Sequence, residues 1–370
     1  MKYKIIFSIL ILYIFTSCKH ERFTIQNSKQ SVNVDLDSTF KLLTGKLGDT
    51  QITMGISINN DQINGYYYSQ EQLLPTLIEG ELEKNGKLTL RSFSDEEDSS
   101  GKIICYFLNN KHIIGKYINP TLKDSVNVNL IMSSQTYAKF KFDYLERKNC
   151  KNKDNFIKQK IEPTSYWDTL CSEIKITLIN FQSQDKLISE KINKEIEKRI
   201  CEITFSEKEL KDYESYLNTV YDDEVGFGVT INCQIINNNE NVVCVRIESI
   251  INAFGSAHPM WFVDHLNFDP KTGNRINLND IISVKDEQVL INLIDKNLKK
   301  QTGYYNGELH NGFDIKINND FAILNRGILI QYDPYEITGY SFGAPDVFLS
   351  YSEISELLMK NGCAYRIFKQ

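Results

Sequence analysis

Two of the chain's five histidines fall in one short stretch, GSAHPMWFVDHLNFDPKTG, at His258 and His265, with Asp264 beside the second. Imidazoles and a carboxylate are the parts of a zinc site or of an acid–base pair. Their spacing weighs against a shared metal. Seven residues apart on a strand, two side chains point to opposite faces. On a helix the same step is about 10 Å along the axis, whereas zinc holds its nitrogens at about 2.0–2.1 Å. Only a loop would bring them together, and MWFVDHLNF has the apolar, aromatic texture of a strand. The chain has no H-E-x-x-H pair, no P-loop and no Rossmann glycine fingerprint. The histidines are therefore expected to serve the fold, with no metal and no cofactor.

Acidic candidates lie in two loops. YLNTVYDDEVGFG offers Asp222, Asp223 and Glu224, and Glu336 sits among Tyr332, Tyr335, Tyr340 and Phe342, around Pro334, Gly339 and Gly343. Carboxylate pairs carry glycoside hydrolysis, but loop carboxylates abound in any acidic chain. Aromatic residues on a loop held by proline are what a glycan or protein surface would contact. They would serve equally as a cap on the core under the last helix, and both readings stand.

Of eight cysteines, none forms a C-x-x-C unit, which argues against zinc ribbons and thioredoxin-like chemistry. Centring the turn of VTINCQIINNNENVVCVRI on Asn238–Asn239 sets Cys233 opposite Cys244. Facing Cβ atoms about 4.5–5.5 Å apart leave either a disulfide, which needs about 3.5–4.5 Å, or two reduced buried thiols.

Two kinds of element must position these groups. From 37 to 134 the texture is short strands separated by Asn-, Gly-, Asp- and Ser-rich turns. Ile63-x-Gly65-x-Tyr67, Ile78-x-Gly80-x-Leu82 and Ile113-x-Gly115-x-Tyr117 repeat a glycine between two apolar residues on one face, which lets a strongly bent sheet curl. Eight such strands predict an antiparallel meander, as a curled sheet or an up-and-down barrel, whose mouth could hold a small apolar ligand. Residues 135–165, including ERKNCKNKDNFIKQK, read as a polar linker.

From 166 the pattern is α+β, with an antiparallel sheet and two or three helices. Ile188, Ile192, Ile196 and Ile200 recur at helical spacing. A second helix over DEQVLINLIDKNLKK is expected to bury Val289, Leu293 and Ile294. A third, over SYSEISELLMKNG, is entered by the capping-box pair Ser350 and Glu353 and left at Asn361–Gly362.

Hydrophobic residues make up 41% and charged residues 24%, with a net charge of −6, so a globular body is expected and nucleic-acid binding is not. MKYK followed by IIFSILILYIF and TSC resembles a bacterial lipoprotein signal. That resemblance implies cleavage of residues 1–17, lipidation of Cys18, a tether over 18–36, and membrane attachment through acyl chains on the periplasmic or outer surface of the cell envelope.

FGSAHPMWFVDHLNFDPKTGNRINLNDII is similar to the signature of the C-terminal extracytoplasmic domain of RsiV-type anti-sigma factors. Gly255, Ala257 and His258 match its first element, Asn267 and Asp269 the second, and Thr272–Gly273 with Leu278-x-Asp280 the rest. ILIQYDPYEITGYSFGAPDVFLSYSEI resembles its second block through Asp333, Pro334, Tyr335, Glu336 and Ile337, then Tyr340, Gly343 and residues 351–354. Residues 252–370 would form this signature part. Residues 166–251 would form a companion part also seen beside polysaccharide deacetylase domains. The resemblance implies a non-catalytic domain. In the anti-sigma factors it binds lysozyme; there a sigma-binding segment and a spanning helix precede it, whereas a lipoprotein-like signal is expected to take their place here. The expectation is a non-catalytic envelope lipoprotein that binds a protein or cell-wall glycan, lysozyme or peptidoglycan. The alternative is a cell-wall glycan hydrolase or deacetylase-type enzyme using loop carboxylates.

Overall fold

The structure is a computed structural model. It describes residues 25–369 except 28–29, 33–39, 60, 70–71, 84, 93–100, 110, 120–123, 136, 151–170, 184, 204–226, 254–255, 284–286, 301–314 and 341–342. Cys18, Gly255, Phe342, Asp222, Asp223 and Glu224 lie outside the described residues.

A short hairpin, β1 (Ile25–Asn27) with β2 (Gln30–Val32), precedes eight strands: β3 (Phe40–Leu47), β4 (Thr50–Asn59), β5 (Gln62–Ser69), β6 (Thr76–Leu82), β7 (Lys87–Ser92), β8 (Lys102–Asn109), β9 (His112–Ile118) and β10 (Ser125–Met132). Each pairs antiparallel with the next, and β10 returns to β3, so the meander closes into a barrel. The repeated glycines sit where the strands crowd. A Cβ on Gly65, Gly80 or Gly115 would lie 2.0–2.2 Å from a carbonyl oxygen of the neighbouring strand. Gly45, between Leu43 and Leu47, is a fourth case. We expect Gly80→Ala to destabilise the protein by about 3 kcal/mol, since backbone must move to admit a methyl group; a urea unfolding midpoint equal to wild type would contradict this.

The barrel interior is filled by its own aliphatic residues, among them Met54, Ile56, Leu88, Leu90, Ile103 and Ile113. They leave an apolar void of about 10 Å³, far below the few hundred Å³ of a ligand pocket. The small-ligand reading of the barrel is thereby corrected: the inward aliphatic residues that flank the glycines fill the space about the axis.

Outward, Phe40, Leu42, Tyr66 and Tyr68 of β3 and β5 share one core with the following sheet. Phe40 meets Phe140 edge-on at 6.2 Å, and the Tyr68 hydroxyl donates to the Ile236 carbonyl at 3.3 Å. That sheet has the order β11 (Lys139–Cys150), β12 (Cys171–Gln182), β13 (Phe227–Asn238), β14 (Val243–Ala253) and β15 (Met260–Phe268). β11 replaces the first part of the expected linker. The alternation of Phe140 and Phe142 with lysines is the strand signal that its charge obscured. The sheet is antiparallel, as expected, except at the β12–β13 pair, which is parallel. Helix α1 (Lys186–Ile203) lies in the crossover that a parallel pair requires, and it buries Ile192, Ile196 and Ile200.

Cys233 and Cys244 are free, buried thiols. The hairpin register sets Cys233 against Ile247 and Cys244 against Asn237, with an irregularity between Ile235 and Asn237. The turn therefore falls later than Asn238–Asn239, and the expected disulfide pairing is lost. The register instead sets Cys150 opposite Cys171.

The last part packs α2 (Glu287–Leu298) with a sheet of β16 (Phe321–Ile323), β17 (Gly327–Gln331) and β18 (Asp346–Ser350). α2 buries Leu290, Ile294 and Leu298 with Leu293 packed at their edge, whereas Val289, expected on the same face, is 47% exposed. The reciprocal Ser350–Glu353 hydrogen bonds form. Yet 351–357 are turns rather than a helix, because Leu358 bridges to Ile282. The closing helix is the short α3 (Cys363–Phe368), beginning after Gly362.

Candidate functional site

Strand β15 is the edge of the five-stranded sheet, and an edge leaves unpaired N–H groups. A side chain from the C-terminal part satisfies one of them, and the β15 side chain Asn267 reaches back to β16. Asp320 Oδ1 accepts from the His265 N–H at 2.8 Å and lies 3.0 Å from His265 Nδ1. The Asp333 carboxyl lies near the Val263 N–H, whose electrostatic effect lowers its pKa. Asn267, 1% exposed, donates to the Phe321 carbonyl at 2.6 Å and accepts from the Ile323 N–H at 2.9 Å. Asp269 caps the following turn through the Lys271 N–H, and Gly273 at φ +71° packs so closely on Ile188 that a Cβ would meet backbone at 2.9 Å. These signature residues join two sheets.

Burial and the Asp264, Asp320 and Glu336 charges push the Asp333 carboxyl up from 3.8 to about 6, with the Val263 N–H opposing. Burial also raises Asp320, against the lowering effect of His265. A carboxyl raised on folding adds stability that is complete below about pH 4 and lost as pH climbs through about 6. Asp333→Asn keeps an oxygen near the Val263 N–H. It should stabilise the protein by about 1–2 kcal/mol at pH 7.5, after allowing for partial exposure. The gain should disappear by pH 4 in denaturant titrations.

His258 is placed quite differently from His265. Its ring stacks on Tyr340 with centroids 3.5 Å apart at 17°, and its Nε2 lies 3.1 Å from the Tyr335 hydroxyl. Tyr340 donates to the Pro259 carbonyl at 2.6 Å. Tyr335 completes a triangle of rings, 5.8 Å from Tyr340 and 6.2 Å from His258. It is 48% exposed and, among the described residues, the one non-glycine with positive φ, at 72°. Glu336 holds this turn by accepting from the Asp333 N–H at 3.0 Å and from Asn318. At the rim, Trp261 donates to Glu248 at 2.8 Å. Burial alone would raise the Glu248 carboxyl, but Arg246 and the Trp261 N–H outweigh it and hold it below the usual range.

Of the expected aromatic loop, Tyr335 and Tyr340 therefore meet at the surface, with the exposed Glu336 bracing the turn. Tyr332 does not: it is 0% exposed, its hydroxyl donating to the Lys316 carbonyl at 3.0 Å. Pro334 is buried as well. Tyr332 directly continues β17, so it faces the core before the chain turns outward. Asp320 and Trp261 escaped the sequence reading because their partners lie 55 and 13 residues away.

The letters G-x-S-x-G occur at Gly339–Gly343, with Ser341 outside the described residues. A nucleophile elbow joins a strand to a helix; here the segment runs on into β18. Among the described residues no three His, Cys, Asp or Glu side chains gather so as to hold a metal ion, and no helix is long and apolar enough to cross a membrane.

Residues 279–352 match the family described as a protein of unknown function, DUF3298. The match spans the second signature block, including Asp333, Tyr335, Glu336 and Tyr340. A DUF3298 protein from Bacteroides fragilis has a similar crystal structure, at 17% identity over 64% of this chain and 100% of that one, with a TM-score of 0.49. Another, from Pseudomonas aeruginosa PAO1, is 15% identical over 60% of this chain and 94% of that one, with a TM-score of 0.44. No curated protein matches the chain.

Proposed function

We propose that this protein is a non-catalytic lipoprotein of the cell envelope, lipidated at Cys18, that binds a protein or a cell-wall glycan through the Tyr335–Tyr340–His258 surface. The observation that carries this reading is Tyr335, a half-exposed ring in a left-handed backbone conformation. Such strain costs roughly 1–3 kcal/mol and gathers at ligand-contacting positions. Stacked rings with nearby carboxylates suit the apolar face and hydroxyls of a sugar, or the anchor of a protein interface. The resemblance to RsiV-type domains supplies lysozyme as the protein to try first. Calorimetric titration of residues 19–370 with lysozyme, then with soluble peptidoglycan fragments, should give saturable heat with one of them. Silence with both removes the reading.

A second reading, a glycan-cleaving enzyme, is favoured by one observation. The Asp333 carboxyl, pushed up to about 6, would be protonated at mildly acid pH near Glu336, as a general acid must be. Release of reducing ends from peptidoglycan at pH 5–6, abolished in Asp333→Asn and Glu336→Gln, would establish it. No release from the wild-type protein ends it.

A further inference from the structure

The barrel has two unlike outer faces. The face on β3–β5 is covered by the five-stranded sheet. Across the closed ring, β8 and β9 stand opposite β4 and β5. On β8, β9 and the adjoining β10 the outward side chains Tyr106, Leu108, Ile114 and Ile131 are 37%, 51%, 37% and 53% exposed. The register makes them one patch. Tyr106 pairs with Ile114, Ile114 with Asn129, and Ile131, the next outward residue on β10, with His112. Single exposed aliphatics are ordinary on a protein surface, whereas a contiguous group marks a contact.

Charge narrows what the contact is. Strands β3, β8, β9 and β10 contain no Asp or Glu, although the chain carries a net charge of −6. Lys46 stands across from Asn129, Lys116 is the next outward residue after Ile114, and Lys111 lies in the β8–β9 turn. All three are exposed. The chain's approach agrees with this. Strand β2 lies against β8, and the seven residues from Cys18 to Ile25 span at most about 25 Å.

We propose that this face of the barrel rests on an anionic lipid surface, as a second contact beside the N-terminal anchor. Aliphatic and aromatic side chains enter the headgroup boundary while lysine ammonium groups meet lipid phosphates. The inference rests on the membrane-attachment reading and adds an orientation to it. The α+β part, with Tyr335, then projects from the opposite side of the barrel, away from the bilayer.

Amine acylation read by mass spectrometry tests this on the full chain, bound to vesicles of phosphatidylcholine with one quarter phosphatidylglycerol or of phosphatidylcholine alone. Lys46, Lys111 and Lys116 should react several-fold more slowly on the anionic vesicles, relative to Lys186 and Lys194 on α1. The difference should vanish in 0.5 M NaCl and in a Leu108→Glu, Ile131→Glu double variant. Equal reactivity on both vesicles, with the chain attached, overturns the face while leaving attachment intact. A chain that floats with neither vesicle overturns the attachment reading and this inference together.

Discussion

Replacing Tyr335 by glycine is expected to cost the protein its ligand while leaving its fold as stable as wild type, or more so. At φ +72° an L-residue carries roughly 1–2 kcal/mol of steric cost that glycine does not. Against that relief stand glycine's greater freedom in the unfolded chain and the loss of a hydrogen bond to His258 at a partly exposed ring. These terms nearly cancel, so the unfolding midpoint should move little. Binding should behave otherwise. A central aromatic anchor is typically worth 2 kcal/mol or more, so the dissociation constant for whichever titrant binds should rise at least about thirty-fold. If Tyr335→Gly binds as tightly as wild type, the surface is structural and the aromatic triangle merely closes the loop over the core. His258→Ala provides a graded control, because it removes the ring stacked on Tyr340 and the hydrogen bond to the Tyr335 hydroxyl while leaving the Tyr335 ring and its backbone in place.

Asn267→Leu should be among the most damaging single substitutions for stability, with an expected loss of about 3–5 kcal/mol. The amide is buried between two sheets, donating to Phe321 and accepting from Ile323. Leucine keeps the branched outline but is larger and offers no polar atom, so both backbone groups are left buried without a partner, at roughly 1–3 kcal/mol each. Urea unfolding followed by circular dichroism measures the difference. A change under 1 kcal/mol would show that the β15–β16 junction is held by apolar packing alone. Asn267→Asp distinguishes the two halves of the contact: it keeps the acceptor for the Ile323 N–H but sets a carboxylate against the Phe321 carbonyl.

The placement of Asn267 also explains why the signature residues read as fold. An edge strand with unpaired N–H groups invites pairing with another chain. Here Asp320 occupies the outward His265 N–H, and Asn267 reaches across from β15 to accept from the Ile323 N–H of β16. Polar residues in this block are therefore needed for sheet termination, whether or not a ligand binds nearby. Tyr335 has no such duty: its hydroxyl meets His258, and its ring stands half-exposed.

Local physics by itself determined a good deal of this protein. Alternation with turn residues sufficed for the eight strands of the barrel, because period two and a fixed turn chemistry act over fewer than ten residues. The isoleucine ladder of α1 and the crowded glycines at 65, 80 and 115 were readable for the same reason. Only the tertiary structure decided what depends on register and on distant partners. A turn shifted along the β13–β14 hairpin separated Cys233 from Cys244. A bridge from Ile282 to Leu358 left the last predicted helix as turns. Tyr332 and Tyr335, three residues apart, were sent one into the core and one to the surface. A pattern of residue types specifies which face of an element is apolar, but what covers that face, or leaves it bare, is set by chain that lies dozens of residues away.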